Sequence, residues 1–129
     1  MNKRILAVDA VPAVGPYSQA VEAGGFVFCS GQVPIVPETG VVITGNIGEA
    51  TEQALKNVRA VLAAAGVGLE QVIKTTIYLT DISDFPAVNE VYGRYFQKDH
   101  PARSTVAVAA LPKGAAVEIE AVAVGPDNP

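Results

Sequence analysis

Cysteine, histidine and tryptophan are almost absent from this sequence of 129 residues, which contains one, one and none of them. The single cysteine, Cys29, excludes an internal disulfide and fits a protein of the reducing cytoplasm. One cysteine and one histidine, far apart in the chain, argue against a zinc site. A Ser-His-Asp triad is also disfavoured, because it would depend on His100, which stands in a predicted loop before Pro101.

Charged residues are scarce as well, at 17% of the chain, with a net charge of −4 and a pI of about 4.8. The nine lysines and arginines are scattered, so the sequence lacks the basic patch that nucleic-acid binding requires. The start of the chain has no signal-peptide pattern, and the longest apolar run, near residues 60–69, is too short to span a membrane. Because so few residues are charged, the polar surface is thin, and we expect part of the surface to be buried in an oligomer.

The length suits a single domain, residues 1–129. Hydrophobic periodicity and turn residues predict strands, a helix, a strand, a second helix and two final strands. The predicted strands are 4–8, 19–22, 26–30, a short one at 41–43, 71–80, and two within 101–124 joined by a turn at 112–114. The predicted helices run from an N-cap at Asn46 to Gly66, and from a cap at Ser83 or Asp84 to about Lys98.

This order predicts an α+β fold, with a mixed sheet of five to six strands and two helices covering one face. The strand 26–30 is apolar on both faces: Phe26 and Phe28 alternate with Val27 and Cys29. Because two helices cover only one face, we expect the other face to pack against copies of the chain in a symmetric oligomer. Ser30, Arg103 and Glu118 are then expected at or near the subunit boundaries.

The last two strands, on either side of Pro112-Lys113-Gly114, are interpreted as a hairpin. In a hairpin Arg103 and Glu118 would lie on adjacent strands and flank one small pocket. A carboxylate beside buried valines is costly unless a partner or a reaction uses it. The alternative is a partly exposed ion pair with only a structural role, which contributes about 0–1 kcal/mol.

Five segments together resemble the Rid (YjgF) family, in particular its RidA-type enamine/imine deaminases. They are GPYSQAV (15–21), SGQVP (30–34), VIKTTIYLTDISDFPAVNEVY (72–92), PARSTV (101–106) and VEIEAVAV (117–124), and the resemblance covers about residues 14–124. It implies a chorismate-mutase-like fold, a homotrimer with sites between subunits, and no metal or organic cofactor. It also implies hydrolysis of 2-imino acids and their enamine tautomers, such as 2-aminoacrylate, to 2-oxo acids and ammonia.

The resemblance further implies roles for individual residues. Arg103 would bind the substrate carboxylate and Glu118 would handle the hydrolytic water, while Tyr17, Ser30 and Asn89 would line the pocket. Thr105 stands where many relatives have cysteine, so only its backbone can keep a role in binding. Three structural alternatives remain open: Tyr17 filling the rim of the core, Ser30 ending a strand and Asn89 facing solvent.

The chemistry of arginine and glutamate supports the roles of Arg103 and Glu118 independently of the resemblance. A planar guanidinium can bind a carboxylate through two parallel hydrogen bonds, and a carboxylate in a half-apolar pocket can orient water and transfer protons. Burial would raise the pKa of Glu118 and a nearby Arg103 would lower it, so the sequence leaves its value open. Two other functions stay open: an endoribonuclease, against which the acidic composition argues, and a non-catalytic module that senses small metabolites.

Overall fold

The computed structural model describes the backbone of residues 3–6, 13 and 15–126, and the side chains of residues 13 and 15–126. In chain order the elements are β1 (Lys3–Leu6), β2 (Ala20–Ala23), β3 (Phe26–Gln32), α1 (Ile47–Ala64), β4 (Val72–Leu79), α2 (Phe85–Tyr95), β5 (Ala102–Ala107) and β6 (Val117–Val124). The predicted strand at 41–43 is a single bridge between Ile35 and Val42. The predicted end of the first strand, residues 7–8, lies outside the described residues.

The six strands form one mixed sheet in the order β1-β2-β3-β6-β4-β5. β4 and β5 are parallel and are connected through α2, whereas the other neighbouring strands are antiparallel. Gly24 and Gly25, with φ of 60° and 83°, form the two-residue turn of the β2–β3 hairpin, as predicted.

Local signals place the ends of the helices. The side chain of Asn46 accepts a hydrogen bond from the backbone N–H of Glu49 at 3.0 Å and begins α1, and Gly66, at φ +80°, follows its end. A short 3-10 turn, Ile82–Asp84, precedes α2. Asp84, one of the two predicted residues, stands at the N-cap of α2, although its side chain forms no capping hydrogen bond. The 3-10 turn has its own cap, Asp81, whose carboxylate accepts from the backbone N–H of Ser83 at 2.9 Å.

The core lies between the helices and one face of the sheet. Its fully buried side chains include Leu55 and Leu62 of α1, Ile77 of β4 and Ile119 of β6. The buried side-chain amide of Asn57 donates to the carbonyls of residues 33 and 35, at 3.2 and 2.8 Å, and attaches the loop after β3 to α1. The predicted α+β fold, with both helices on one face of a mixed sheet, is therefore confirmed.

The predicted hairpin of the last two strands is wrong. β4 lies between them and pairs with β5 on one edge and with β6 on the other. β4 is buried at four positions, and an inner strand of this kind needs hydrogen-bonding partners on both edges. The turn at Pro112–Gly114 is present, but it carries the chain across β4 to the strand beyond it.

Arg103 and Glu118 consequently lie on opposite faces of the sheet. Arg103 is in register with Thr75, which faces the helices, whereas Glu118 is in register with Tyr78, which points to the other face. The expectation that both belong to the uncovered face, and to one pocket within the chain, is corrected for Arg103. A pocket shared by these two side chains requires a second chain.

The face without helices carries exposed apolar side chains. Phe26, Phe28 and Val106 are 37%, 47% and 42% exposed, and the half-buried Val124 and Val122 of β6 lie in register with Phe26 and Phe28 on this face. Apolar groups arranged in this way are typical of an interface between subunits. Within residues 3–6, 13 and 15–126, no helix is long and apolar enough to cross a membrane.

Candidate active site in two halves

Arg103 lies on a platform built by α2. Its Nη1 donates a hydrogen bond of 2.8 Å to Oδ1 of Asn89. Its guanidinium carbon is 4.8 Å from the centre of the Tyr92 ring and 5.3 Å from that of Phe85, within the range of cation–π attraction. Phe85, Asn89 and Tyr92 recur at spacings of four and three, so one face of the helix presents all of them to the arginine.

A buried hydrogen bond fixes this platform. The hydroxyl of Tyr92 is 2.7 Å from that of Thr75 on β4, and its ring packs against Phe96 with 4.6 Å between centres. Burial raises the pKa of Tyr92, while the hydrogen bond with Thr75 and the charge of Arg103 oppose the increase. The phenol therefore stays neutral, and its ring is held in place under the guanidinium.

A cavity of about 430 Å³ opens beside the platform. It is lined by Asn89, Tyr92, Gly93, Phe96, His100, Pro101 and Arg103. Of the described side chains, none offers a carboxylate within 4.0 Å of the guanidinium. Since arginine has five N–H donors and Asn89 takes one of them, the others remain for an anionic ligand.

Glu118 lies on the opposite face, against a bulge in β3. The register of β3 with β6 shifts between Cys29 and Gln32, so Ser30 and Gly31 form the bulge. A Cβ on Gly31 would overlap the carboxylate of Glu118, so a side chain at this position would force the Glu118 side chain to move. Burial, together with the charge of Glu120, raises the pKa of Glu118. The counteracting effect of Arg103 considered from the sequence is absent within one chain.

Ser30 links the bulge to the segment that carries Tyr17. Its hydroxyl donates to the carbonyl of Ser18 at 2.6 Å, and its backbone N–H donates to the carbonyl of Gln19 at 2.9 Å. Tyr17 is 44% exposed next to this segment. Ser30 does not end a strand, because β3 continues to Gln32. The structure thus gives its hydroxyl a partner within the chain, while its predicted contact with a ligand stays a prediction.

The Thr105 hydroxyl and the Cys29 thiol are both buried, and neither offers a reactive group to a ligand. Thr105 follows Arg103 by two residues and is in register with the helix-facing Ile77, and its hydroxyl is buried without a hydrogen-bond partner among the side chains and backbone described. Cys29 is buried in the core, and burial, assisted by the charge of Glu120, raises the pKa of its thiol to about 12. At neutral pH this thiol remains protonated and unreactive.

Two half-sites therefore exist in each chain. The first, on the helix side, contains Arg103 and Asn89 and is able to bind an anion. The second, on the uncovered face, contains Glu118 beside the bulge at Ser30 and is able to carry a proton. Sequence reasoning missed Phe85, Tyr92, Tyr78 and Glu120 as neighbours of the site. The spacing of Phe85, Asn89 and Tyr92 on one helix face was the signal that could have identified the platform.

Comparisons with known proteins show which family this chain is similar to. A family model described as Endoribonuclease L-PSP matches residues 7–125. The human protein named 2-iminobutanoate/2-iminopropanoate deaminase is 47% identical over 123 residues, which are 95% of this chain and 90% of that protein. Solved structures of similar chains include YyfA of Yersinia pestis, from the Rid family, with 46% identity and a TM-score of 0.92 over 95% of this chain and 99% of that one. They also include TdcF of E. coli with bound serine, with 42% identity and a TM-score of 0.89 over 94% and 98% of the two chains.

Proposed function

Because this chain belongs to the Rid (YjgF) family, we propose that it is a 2-iminobutanoate/2-iminopropanoate deaminase. It would hydrolyse reactive enamines and imines of amino-acid metabolism, such as 2-aminoacrylate, to 2-oxo acids and ammonia. The observation that carries the proposal is the guanidinium of Arg103, which is fixed by Asn89 and two aromatic rings and opens onto a cavity. The name of the human relative and the serine in the TdcF structure support the same class of ligand.

The proposal includes assembly into a homotrimer in which each site is shared. Arg103 and Glu118 lie on opposite faces of one sheet, so Arg103 of one subunit would meet Glu118 of a neighbour. The exposed apolar side chains of Phe26 and Phe28, on the same face of the sheet as Glu118, support contact at that face. The lone buried thiol of Cys29 is compatible with the cytoplasm, where we place the protein.

The reaction would begin with binding of the substrate carboxylate. The fork of Arg103 forms parallel hydrogen bonds with it and fixes the position of the C=N carbon. Tyr17, Ser30, Asn89 and the backbone at Thr105 would complete the pocket. Since the guanidinium is already seated on its platform, little side-chain freedom is lost on binding.

Hydrolysis then needs one water molecule and transfers of protons. Glu118 would take a proton as the water oxygen attacks the imine carbon, which gives a carbinolamine. With the imine entering in its protonated form, the same carboxyl would return the proton to the carbinolamine nitrogen, and the C–N bond would break with its electron pair moving to nitrogen. The hydroxyl proton would pass to the Glu118 carboxylate as the C=O bond forms, and the released ammonia would take it up and leave as ammonium. The half-buried position of Glu118 supports this role, because burial raises its pKa toward the working pH.

The test couples this protein to a threonine or serine dehydratase and measures the rate of 2-oxo acid release. We expect the wild-type protein to accelerate release and Arg103→Ala to lose this activity while its oligomer persists. Arg94→Ala is the matched control, because Arg94 lies on α2 itself but is exposed and pairs with Glu90 at 3.2 Å. An Arg103→Ala variant with full activity would contradict the proposal that Arg103 binds the substrate carboxylate.

The description of the family model favours one further candidate, an endoribonuclease. The net charge of −4 weighs against it, because RNA backbones are bound chiefly by basic residues. Incubation of RNA with the wild-type protein and with Arg103→Ala separates the two functions. Cleavage that is lost in the variant would favour the nuclease. A non-catalytic sensor of small acids would instead bind a 2-oxo acid without accelerating its release.

A further inference from the structure

Glu118 has a second carboxylate beside it on the uncovered face. Glu120 follows it by two residues on β6, so both side chains point to the same side of the sheet. Tyr78 of β4 is in register with Glu118, yet its hydroxyl donates a hydrogen bond to Oε1 of Glu120. The phenol thus bridges the two positions and holds the Glu120 carboxylate next to Glu118.

Few other charged groups face this pair. From β4, Lys74 points to the same side, but its Nζ donates to the hydroxyl of Ser104 on β5 at 3.0 Å. From β3, the residues on this face are Phe26, Phe28 and Ser30, none of which titrates, and the protonated thiol of Cys29 points into the core. α1 packs against the opposite face of β6. Within the described chain, Glu120 and Tyr78 are therefore the titratable groups that adjoin Glu118. In the proposed trimer the guanidinium of Arg103 from a neighbouring subunit would face it as well, and would act on its pKa in the opposite direction.

We propose that Glu120 and Tyr78 are positioning residues, which keep a negative charge beside Glu118 and so favour the protonated form of its carboxyl. This inference rests on the proposed function, since it explains how Glu118 can serve the hydrolysis in both directions. Burial alone is the larger cause of the raised pKa of Glu118, and the charge of Glu120 acts in the same direction.

The chemistry explains why such a neighbour is useful. Glu118 must accept a proton from water and then donate it to the nitrogen of the carbinolamine. A carboxylate of ordinary pKa is a weak base at neutral pH and takes a proton from water poorly, whereas a raised pKa makes it a stronger base for this step. Two carboxyl groups whose surroundings differ can divide the work, with one staying charged while the other carries the proton.

The main test is the pH dependence of kcat/KM for the 2-imino acid formed by the dehydratase. Glu120→Gln removes the neighbouring charge, so the protonated form of Glu118 loses stabilisation and the acid limb should move to lower pH. Tyr78→Phe frees the Glu120 carboxylate to turn into solvent and should move the limb in the same direction by less. Glu52→Gln is the control, because it makes the same change of charge at an exposed pair with Lys56 on α1.

A second measurement follows the carboxyl carbon of Glu118 by NMR during a pH titration, with Glu118→Gln used to assign its signal. This reads the coupling directly and does not require turnover, and sedimentation checks that each variant keeps the assembly of the wild type. We expect the titration midpoint of Glu118 to fall in Glu120→Gln and not in Glu52→Gln. An unchanged midpoint and an unchanged acid limb would overturn the inference. Absence of deaminase activity in the wild-type protein would overturn the proposed function instead, and the titration would still decide the coupling.

Discussion

Replacement of Arg103 by lysine tests whether binding of the substrate carboxylate depends on positive charge alone or also on the planar geometry of the guanidinium. The guanidinium is fixed by Asn89 at 2.8 Å and by rings centred 4.8 and 5.3 Å away, so its fork has one orientation. Lysine keeps the positive charge but is a single point of attachment, and it cannot hold both Asn89 and a carboxylate in one plane.

The expected magnitude follows from the hydrogen bonds that are lost. One charge-assisted hydrogen bond contributes about 1.5–3 kcal/mol, so Arg103→Lys should lower kcat/KM roughly 10- to 150-fold. Arg103→Ala loses two such bonds and should lower it by about 10² to 10⁴. Most of the lysine effect should appear in KM, because the carboxylate is held equally in the bound substrate and in the transition state.

Steady-state kinetics in the dehydratase-coupled assay measure both parameters. Arg94→Lys, which makes the same substitution at the exposed pair with Glu90, should leave them unchanged. A lysine variant with the kcat/KM of the wild type would show that positive charge alone suffices. It would refute the proposal that Arg103 binds the substrate carboxylate through two parallel hydrogen bonds. Thermal unfolding of each variant separates a kinetic loss from a loss of structure.

Two further substitutions test the supports of the half-sites. Gly31→Ala places a Cβ where the Glu118 carboxylate lies, so kcat should fall at least about tenfold because Glu118 is displaced. Gly48→Ala, whose added Cβ would make only ordinary contacts, is the control and should leave kcat unchanged. Equal kcat values in the two variants would contradict the role of the bulge. Thr75→Val leaves the buried hydroxyl of Tyr92 without its partner at 2.7 Å and should lower the free energy of unfolding by about 1–3 kcal/mol. Denaturant unfolding measures this loss, with Thr80→Val at an exposed position as the control. Equal stabilities of the two variants would show that the hydrogen bond does not fix the platform.

Much of the fold could be predicted because its signals are local. Asn46 and Gly66 mark the ends of α1, and Gly24 and Gly25 define a hairpin, by the conformations of neighbouring residues alone. The order of strands could not be predicted in this way. The choice of β4 as the neighbour of β6 depends on burial across the whole sheet, and strands that are adjacent in sequence often pair elsewhere.

In the candidate site, too, the features with a local signal could be predicted from the sequence, whereas those set by strand pairing could not. Arg103 and Glu118 stand out in the sequence because they are charged residues among apolar ones, and the resemblance gives them roles. Their opposite faces follow from the register of β4 with both neighbouring strands, which has no local signal. Tyr78, which donates a hydrogen bond to Glu120 across strands, likewise has no local signal that would place it beside the site.

Mixing two inactive variants tests most directly whether each site is shared between chains. Arg103→Ala and Glu118→Gln chains would be unfolded, combined in equal amounts and refolded, with mass spectrometry to verify mixed assemblies. A site shared by neighbouring subunits is intact when Arg103 and Glu118 come from different variants, so random mixing should restore about one quarter of the wild-type activity. A mixture as inactive as its two components would show that both groups of a site come from one chain, against the geometry described above.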